Sequence, residues 1–330
     1  CMVDRTLLIM NHSGFLPPMR YALSELGVEF AYESWDPSPR DLSHALGCHV
    51  WFYDVIRKPW RIYRLARRLR RHRVPLIAWN RDAPHYLNYD MPRRRWMLDL
   101  ADRLRLLDIY ATHTLVDHRQ FAQKVLYLPN AADTRAYHLN GPEREVFNRL
   151  RKWGSYRYDV SFFGGMNGRQ YKEDAARERF FGELGRRLGA RGISFLFREA
   201  AGLSVGEQIE LVQASRINLN FGARCEYLAP VASGLPERCY GIPACGGFLL
   251  CDRRTHARDD FSPGSDWAEY DGVDDCVSKI EYWLSNFDAA RDLAERCYAK
   301  VRSHHTYEHR AARYLGELRQ WHLGLGAIAQ

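Results

Sequence analysis

Two α/β domains in series, each a doubly wound and mostly parallel sheet, is the fold class this sequence predicts, on three observations. Short apolar runs alternate with amphipathic stretches along most of the chain, the pattern of successive βαβ units. The alternation lapses once, in the polar stretch RAYHLNGPEREVFNRLRKWGSYR after Asp133, and then resumes. At 330 residues the chain has the length of two ordinary domains. The expected division is a basic first domain over 1–140, a helix-containing linker over 141–157, a second domain over 158–303, and a terminal helix over 304–330 that packs back on the first domain.

In the first half, TLLIM (6–10) reads as a strand, NHSGF as a loop, and PPMRYALSELG as a helix with prolines at its start and Gly27 past its end. VEFAYESW follows, then a helical SPRDLSHALG, and HVWFYDVI as a strand by its aromatic and β-branched content. A basic helix and the strand VPLIAW (74–79) come next. LLDIYATH (106–113) and KVLYLPN (124–130) are expected as strands flanking a short helix around 117–123. In the second half, YDVSFFGG (158–165) runs from strand into a glycine loop. Helix KEDAARERFFGELGRRLGARG, strand ISFLFRE (193–199), helix GEQIELVQAS and strand RINLNFG (216–222) follow. The helix and turn ERCYGIPACGG then lead to strand FLLCD, and residues 273–318 read as two or three closing helices.

The chain is 46% hydrophobic and 27% charged, and no apolar run approaches the ~20 residues that would span a bilayer, so a soluble, cytoplasmic protein with no transmembrane segment is expected. Eight cysteines without a CxxC pair fit a reducing compartment. Cys239, Cys245 and Cys251 are spaced by six, which matches no zinc-ligand pattern, and read as buried thiols. No metal site is expected. The net charge of +8 is lopsided: residues 1–140 hold 21 Lys and Arg against 14 Asp and Glu, the remainder 27 against 26. The excess lies in the first domain, which points there for an anionic partner.

Most of it is one stretch. RKPWRIYRLARRLRRHR (57–73) has nine basic residues and no acid. Helical spacing groups Arg57, Arg61, Arg64, Arg68 and Arg71 on one face and turns Ile62, Leu65, Ala66 and Leu69 inward. A solvated face normally mixes signs, and this one does not. An anionic partner is therefore expected here, either phospholipid headgroups, an acidic envelope glycan or nucleic acid, with Trp60 and Tyr63 able to anchor at a membrane surface. MPRRRW adds Arg93 to Arg95.

The most informative stretch is SGLPERCYGIPACGGFLLCD (233–252). Its charged start (Glu237, Arg238), small-residue turn (Gly241 to Gly247) and apolar run suit a nucleotide site at the carboxyl edge of a parallel sheet. Gly164 and Gly165, between a strand and a helix, could turn backbone N–H groups toward an anionic ligand, with Arg169 and Lys172 adding charge. Arg238 and Arg198 stand at a helix start and a strand end, where a cation can meet an anionic ligand. In the first half Asp82 and His85 follow a strand, where one of them could orient a ligand or accept a proton; Asp82 reads equally well as a loop cap before Pro84. His12, Gly14 and Asn130 also stand at strand ends.

WNRDAP (79–84), YLPNAADTRAYH (127–138), YDVSFFGG, RINLNF, RCYGIPACGGFLLCD and HHTYEHRAARYL (304–315) occur in the order shown by GT-B fold glycosyltransferases, and the chain resembles the spore-maturation protein CgeB-like group of that fold, related to the family 4 retaining enzymes. The resemblance implies two Rossmann-like domains with a cleft between them. It implies metal-independent transfer of a hexosyl or pentosyl group, with retention, from a nucleotide sugar, preferably a UDP-sugar, and no tightly bound cofactor. The donor would lie in the second domain, near Ser233, Tyr240, Gly241, Gly246 and Gly247 as well as the residues above. The loop at Gly164 and Gly165 would meet its diphosphate and Arg238 or Arg198 would stabilise that diphosphate as it departs, while Asp82 or His85 would orient the donor sugar or accept the proton of the acceptor. The acceptor would lie in the first, near His12, Gly14, Asn130, Arg61, Arg64 and Arg68, and would be an envelope glycan, a lipid-linked group at the inner membrane face, or a hydroxylated base in DNA. Family 4 enzymes carry two glutamates eight residues apart; here those positions hold Ser233 and Gly241, with Glu237 midway. That departure leaves open a catalytically inactive protein that binds a nucleotide sugar or a polyanion.

Overall fold

Ten of the apolar runs form short strands, and those at the centre of each sheet are largely buried, as parallel strands covered on both faces require. The computed structural model describes residues 6–10, 15–84, 91–169, 174–222 and 232–328. The chain divides into two compact units, one made of residues up to Pro129 together with those from Tyr307, the other of Asn130–Thr306.

The first unit contains, in chain order, β1 (Thr6–Met10), α1 (Pro17–Glu25), β2 (Glu29–Glu33), α2 (Pro39–Ser43), β3 (Ala45–Val50), α3 (Phe52–Arg57), α4 (Pro59–Arg71), β4 (Leu76–Asn80), α5 (Met91–Leu104), β5 (Leu107–Thr112) and β6 (Ala122–Tyr127). Its six strands form one parallel sheet in the order β2-β1-β3-β4-β5-β6. Three elements differ from the sequence expectation. The run HVWFYDVI splits: the strand ends at Val50, and α3 buries Phe52, Tyr53, Val55 and Ile56. A helix enclosed by its neighbours is apolar all round, so its composition imitates a buried strand. The helix before it is confined to α2, which Ser38 and Asp41 start with a reciprocal capping box. No helix forms around 117–123. Asp102 instead accepts the amides of Gln120 and Phe121, and Phe121 takes a positive φ of 57° just before β6 begins.

The second unit opens with α6 (Glu143–Leu150) and a single 3-10 turn at Trp153–Ser155. Val146 and Leu150 of α6 pack with Leu139, Tyr156 and Tyr298. There follow β7 (Tyr158–Gly164), α7 (Asp174–Gly189), β8 (Phe195–Glu199), α8 (Val205–Gln213), β9 (Ser215–Asn220), α9 (Arg238–Ala244), β10 (Leu249–Asp252), α10 (Ala257–Asp260), β11 (Ala268–Tyr270), α11 (Gly272–Ser285) and α12 (Phe287–His304). The sheet is again parallel, ordered β11-β10-β9-β7-β8. Its order reverses between β7 and β9, and at such a reversal the connecting helices leave on opposite faces, opening a crevice at the carboxyl ends of the strands. One apolar cluster covers the α7 face through Phe162, Phe181, Leu184 and Leu188; another covers the α8 and α9 face through Phe163, Ile209, Val212, Tyr240 and Ile242.

The last helix, α13 (Tyr307–Ile328), belongs to the first unit and packs on α1. Arg310 donates to the carbonyl of Pro129, Lys124 pairs with Glu317, and His322 Nε2 lies 2.8 Å from the Leu46 carbonyl. Among the described residues no helix is long and apolar enough to cross a membrane.

Candidate functional site

The crevice between β7 and β9 in the second unit is built around two arginines with opposite circumstances. Arg177 falls on the apolar stripe of α7, with Phe181, Leu184 and Leu188, and is buried. It donates to three carbonyls: Nε to Phe221 at 3.0 Å, Nη2 to Gly222 at 3.0 Å and Nη1 to Gly165 at 3.3 Å. It thereby staples the loop after β7 to the loop after β9. A guanidinium spent on three carbonyls is scaffolding.

Arg238, the first residue of α9, is not spent. Its Cζ lies 4.9 Å from the Phe162 ring centroid, and Nη1 is buried with no hydrogen-bond partner among the described residues. Nη2 occupies the space beside Gly164, 3.1 Å from where a Cβ on that glycine would stand. Burial first, and the charge of Arg177 second, bring its pKa down to about 10, so it is still a cation at neutral pH. A buried N–H left unpaired costs about 1–3 kcal/mol, and an anion arriving in the crevice would relieve that cost. Gly164 is required here because any side chain would also meet Phe162 Cζ at 2.7 Å.

The segment that delivers Arg238 is pinned from three sides. Asn130 Nδ2 donates to the Leu235 carbonyl at 2.9 Å, Arg254 Nε to the Gly234 carbonyl at 2.6 Å, and the His256 amide to the Ser233 carbonyl at 3.0 Å. Asp252, at the end of β10, accepts from Asn220 Nδ2 (2.6 Å), the Gly222 amide (2.9 Å) and Arg254 Nη1 (2.8 Å), which fixes the far wall of the crevice. Arg177, Asp252 and Arg254 were not singled out from the sequence. Each carried a signal, a charged residue on the buried stripe of a helix or directly after an apolar strand.

The glycine loop works differently from the expectation. Two of its amides already have carboxylate acceptors, Met166 in Glu199 (2.6 Å) and Gly168 in Glu178 (2.8 Å). Gly164 contributes space for a guanidinium. Arg169 is exposed beyond the loop, and Lys172 lies outside the described residues. Arg198 is in register with Phe163, so it points to the sheet face opposite Phe162 and Gly164. It lines a separate cleft of about 600 Å³ with Arg149, Arg157 and Glu207.

Gly246 and Gly247 precede β10 and so stand at the amino edge of the sheet, the end opposite Arg238. A Cβ on Gly246, whose φ is +77°, would meet Leu139 at 2.9 Å, and one on Gly247 would meet Val212 at 2.5 Å. The close approach they permit is of apolar side chains, which corrects their reading as nucleotide contacts. Tyr240 is likewise a core residue, fully buried, with its hydroxyl on Asp260. A Cβ on Gly241 would stand 3.6 Å from the Tyr137 ring, Ser233 is buried, and Glu237 is exposed beside Arg238. Cys239, Cys245 and Cys251 are buried, and burial pushes the Cys245 thiol up to about 12.

In the first unit, Asp82 follows β4 and accepts from the Tyr53 hydroxyl at 3.1 Å; its amide donates to Asn80 Oδ1 at 3.2 Å. Asn80 Nδ2 in turn donates to the Tyr110 hydroxyl, so Asp82 is held by a chain of buried polar groups. Asn130 belongs to the second unit, where it holds Leu235. Arg61 and Arg64 are exposed on α4, whereas Arg68 is half-buried and paired with Asp36. His12, Gly14 and His85 lie outside the described residues. Among the described residues no three His, Cys, Asp or Glu side chains are grouped to hold a metal ion.

Residues 144–316, more than half of the chain and nearly all of the unit that holds Arg238, match the family model described as glycosyl transferase-like. The chain belongs to that family. No curated protein sequence matches it. Among solved structures it is similar to a sucrose-phosphate synthase from Thermosynechococcus elongatus (11% identity, covering 97% of this chain and 100% of that one, TM-score 0.63). It is also similar to an α,α-trehalose 6-phosphate synthase from Burkholderia multivorans (12%, 99% and 100%, 0.58) and to HepE of Anabaena in complex with UDP (10%, 96% and 100%, 0.56). At these identities the likeness is one of fold, and that fold is GT-B, two parallel-sheet α/β domains.

Proposed function

We propose that the chain transfers a hexosyl or pentosyl group from a nucleoside-diphosphate sugar to a hydroxyl of an anionic acceptor. The observation that carries this reading is the Nη1 of Arg238, buried and without a hydrogen-bond partner among the described residues, at the sheet reversal of the second unit. As the bond from the sugar to the diphosphate breaks, negative charge grows on the leaving oxygen. A guanidinium already fixed in a low-dielectric setting stabilises that charge without reorganising, and Arg177, held on its three carbonyls and beside Asp174, keeps the loops around it in place. Glu237, exposed at the same helix start, is assigned to the sugar hydroxyls. The charge is met by side chains in this reading, so transfer is metal-independent.

UDP is the preferred carrier because similar solved structures of HepE from Anabaena hold UDP and UDP-glucose. Retention of configuration follows the resemblance to the family 4 enzymes. In the first unit Asp82, braced by Tyr53, is assigned to the acceptor hydroxyl. The basic face of α4 supports an anionic acceptor, an envelope or lipid-linked glycan in preference to a hydroxylated DNA base, and with it a cytoplasmic site of action.

A second reading is favoured by one observation. Where family 4 enzymes have glutamates, Ser233 is buried and Gly241 lies against Tyr137. On this reading the chain binds a nucleotide sugar without turning it over. Thermal melts with UDP, GDP and dTDP sugars, followed by assay of free nucleoside diphosphate, separate the two. At 100 times Kd the donor should add ~2.7 kcal/mol of stability. Stabilisation without release of diphosphate favours the second reading, and no stabilisation by any nucleotide sugar overturns both.

A further inference from the structure

Helix α4 buries Ile62, Leu65, Ala66 and Leu69 and leaves the rest of its circumference to solvent. At ~100° per residue, Trp60, Arg64, Arg67 and Arg71 lie within about 40° of the direction opposite that buried stripe. The outermost line of the helix is therefore an indole set among guanidinium groups. Trp60 is 77% exposed, Tyr63 beside it is 46% exposed, and the two rings pack edge to face with centroids 6.4 Å apart. Arg61, Arg64, Arg67 and Arg71 make no side-chain hydrogen bond or ion pair with the described residues, while Arg68, turned toward the flank, is neutralised by Asp36. No Asp or Glu occurs between Asp54 and Asp82.

The geometry points to α4 as a docking face for a bilayer rich in anionic phospholipid. The basic charge is unopposed, and the lipid phosphates and carboxylates of such a surface complement it. The aromatic pair decides among anionic partners. At a headgroup layer an indole and a phenol sit at the apolar boundary while neighbouring arginines reach the phosphates, so both parts of the face are satisfied together. Against a nucleic-acid duplex, Trp60 at the centre of the face would meet the phosphate backbone and hold the arginines off it. The apolar stripe is already used inside the first unit, so contact is peripheral, made by charge and two aromatic anchors. This inference extends beyond sugar transfer and needs neither donor nor turnover to be tested.

Co-sedimentation of the full chain with phosphatidylcholine vesicles, with and without phosphatidylserine, is the experiment, run at low and at physiological salt. Binding is expected only with phosphatidylserine and should weaken as salt rises. The triple change Arg64→Gln, Arg67→Gln, Arg71→Gln removes exposed groups only and should weaken it about a hundredfold, at about 1 kcal/mol per basic residue. Trp60→Ala should weaken it about tenfold. Equal binding to vesicles without phosphatidylserine, no binding to either, or a triple variant that binds like the parent overturns the inference. So does tighter binding of the parent to duplex DNA at the same salt, which assigns the face to nucleic acid. A melt of each variant confirms folding. Because the vesicle readout is independent of nucleotide, its failure is distinct from failure of the UDP titration.

Discussion

Arg238→Met separates an anion-binding guanidinium from a structural one because the two roles predict opposite signs. In the free protein the substitution removes a desolvated cation whose Nη1 has no partner and replaces it with an apolar side chain of similar reach. Relief of one unsatisfied buried N–H is worth about 1–3 kcal/mol. Against this stands the loss of the cation–π contact with Phe162 at 4.9 Å, about 0.5–2 kcal/mol. The balance leaves stability unchanged or raised by about 1 kcal/mol, and for a unit of this size each kcal/mol moves Tm by ~2–4 °C. Donor binding should move the other way. A charge-assisted hydrogen bond to a phosphate oxygen contributes about 1.5–3 kcal/mol, so the Kd for UDP should rise about ten- to a hundredfold. Differential scanning calorimetry and a UDP titration of the same preparation measure both. A variant that melts well below the parent, or binds UDP equally well, refutes the assignment of Arg238 to the diphosphate.

Gly164→Ala should produce a related phenotype by displacing the cation, because its Cβ would stand 2.7 Å from Phe162 and 3.1 Å from Nη2; a loss of about 1–3 kcal/mol and weaker UDP binding are expected together. Gly247→Ala should destabilise by a similar ~1–3 kcal/mol through Val212 and Ile242, yet leave the UDP affinity of the folded protein intact, which calorimetry at a temperature below the melt checks. Asn130→Ala removes the donor to Leu235 and should lower both stability, by ~1 kcal/mol, and UDP affinity, since the segment that positions Arg238 is loosened. His49, buried at the end of β3, has its pKa lowered to about 3 by desolvation. The unfolded chain takes up that proton near pH 6.5 and the native state does not, so stability is full above pH 6.5 and falls by ~1.4 kcal/mol per unit as pH drops toward the native value. His49→Phe should flatten this acid limb in urea melts taken between neutral and mildly acid pH, and an unchanged slope would remove His49 from the account.

Element type was legible wherever one face of an element is apolar and the other is not. The stripe of α4 carries that contrast in its spacing, while the strands TLLIM and VPLIAW were legible as short, wholly apolar runs bounded by polar residues. It failed where burial is complete: α3, enclosed by α4, α5 and β4, has the composition of a strand. It failed again before β6, where Asp102, distant in sequence, supplies the acceptor that holds Gln120 and Phe121 out of a helix.

By itself the sequence determined that two parallel α/β sheets follow one another, that α4 is basic on its outer side, and that a cation opens the helix before the strand FLLCD. Those features depend on residue type and local period. Tertiary structure alone decided which charged groups lie together. Spacing cannot tell the amino from the carboxyl edge of a sheet, so Gly246 and Gly247 seemed to share a site with Arg238 although they pack against Leu139 and Val212 at the other end. Nor can it tell which neighbour takes a donor. Asn130 holds Leu235, 105 positions away, and Arg177 is spent on the carbonyls of Phe221 and Gly222, while Arg238 is left with an N–H that only the folded crevice desolvates.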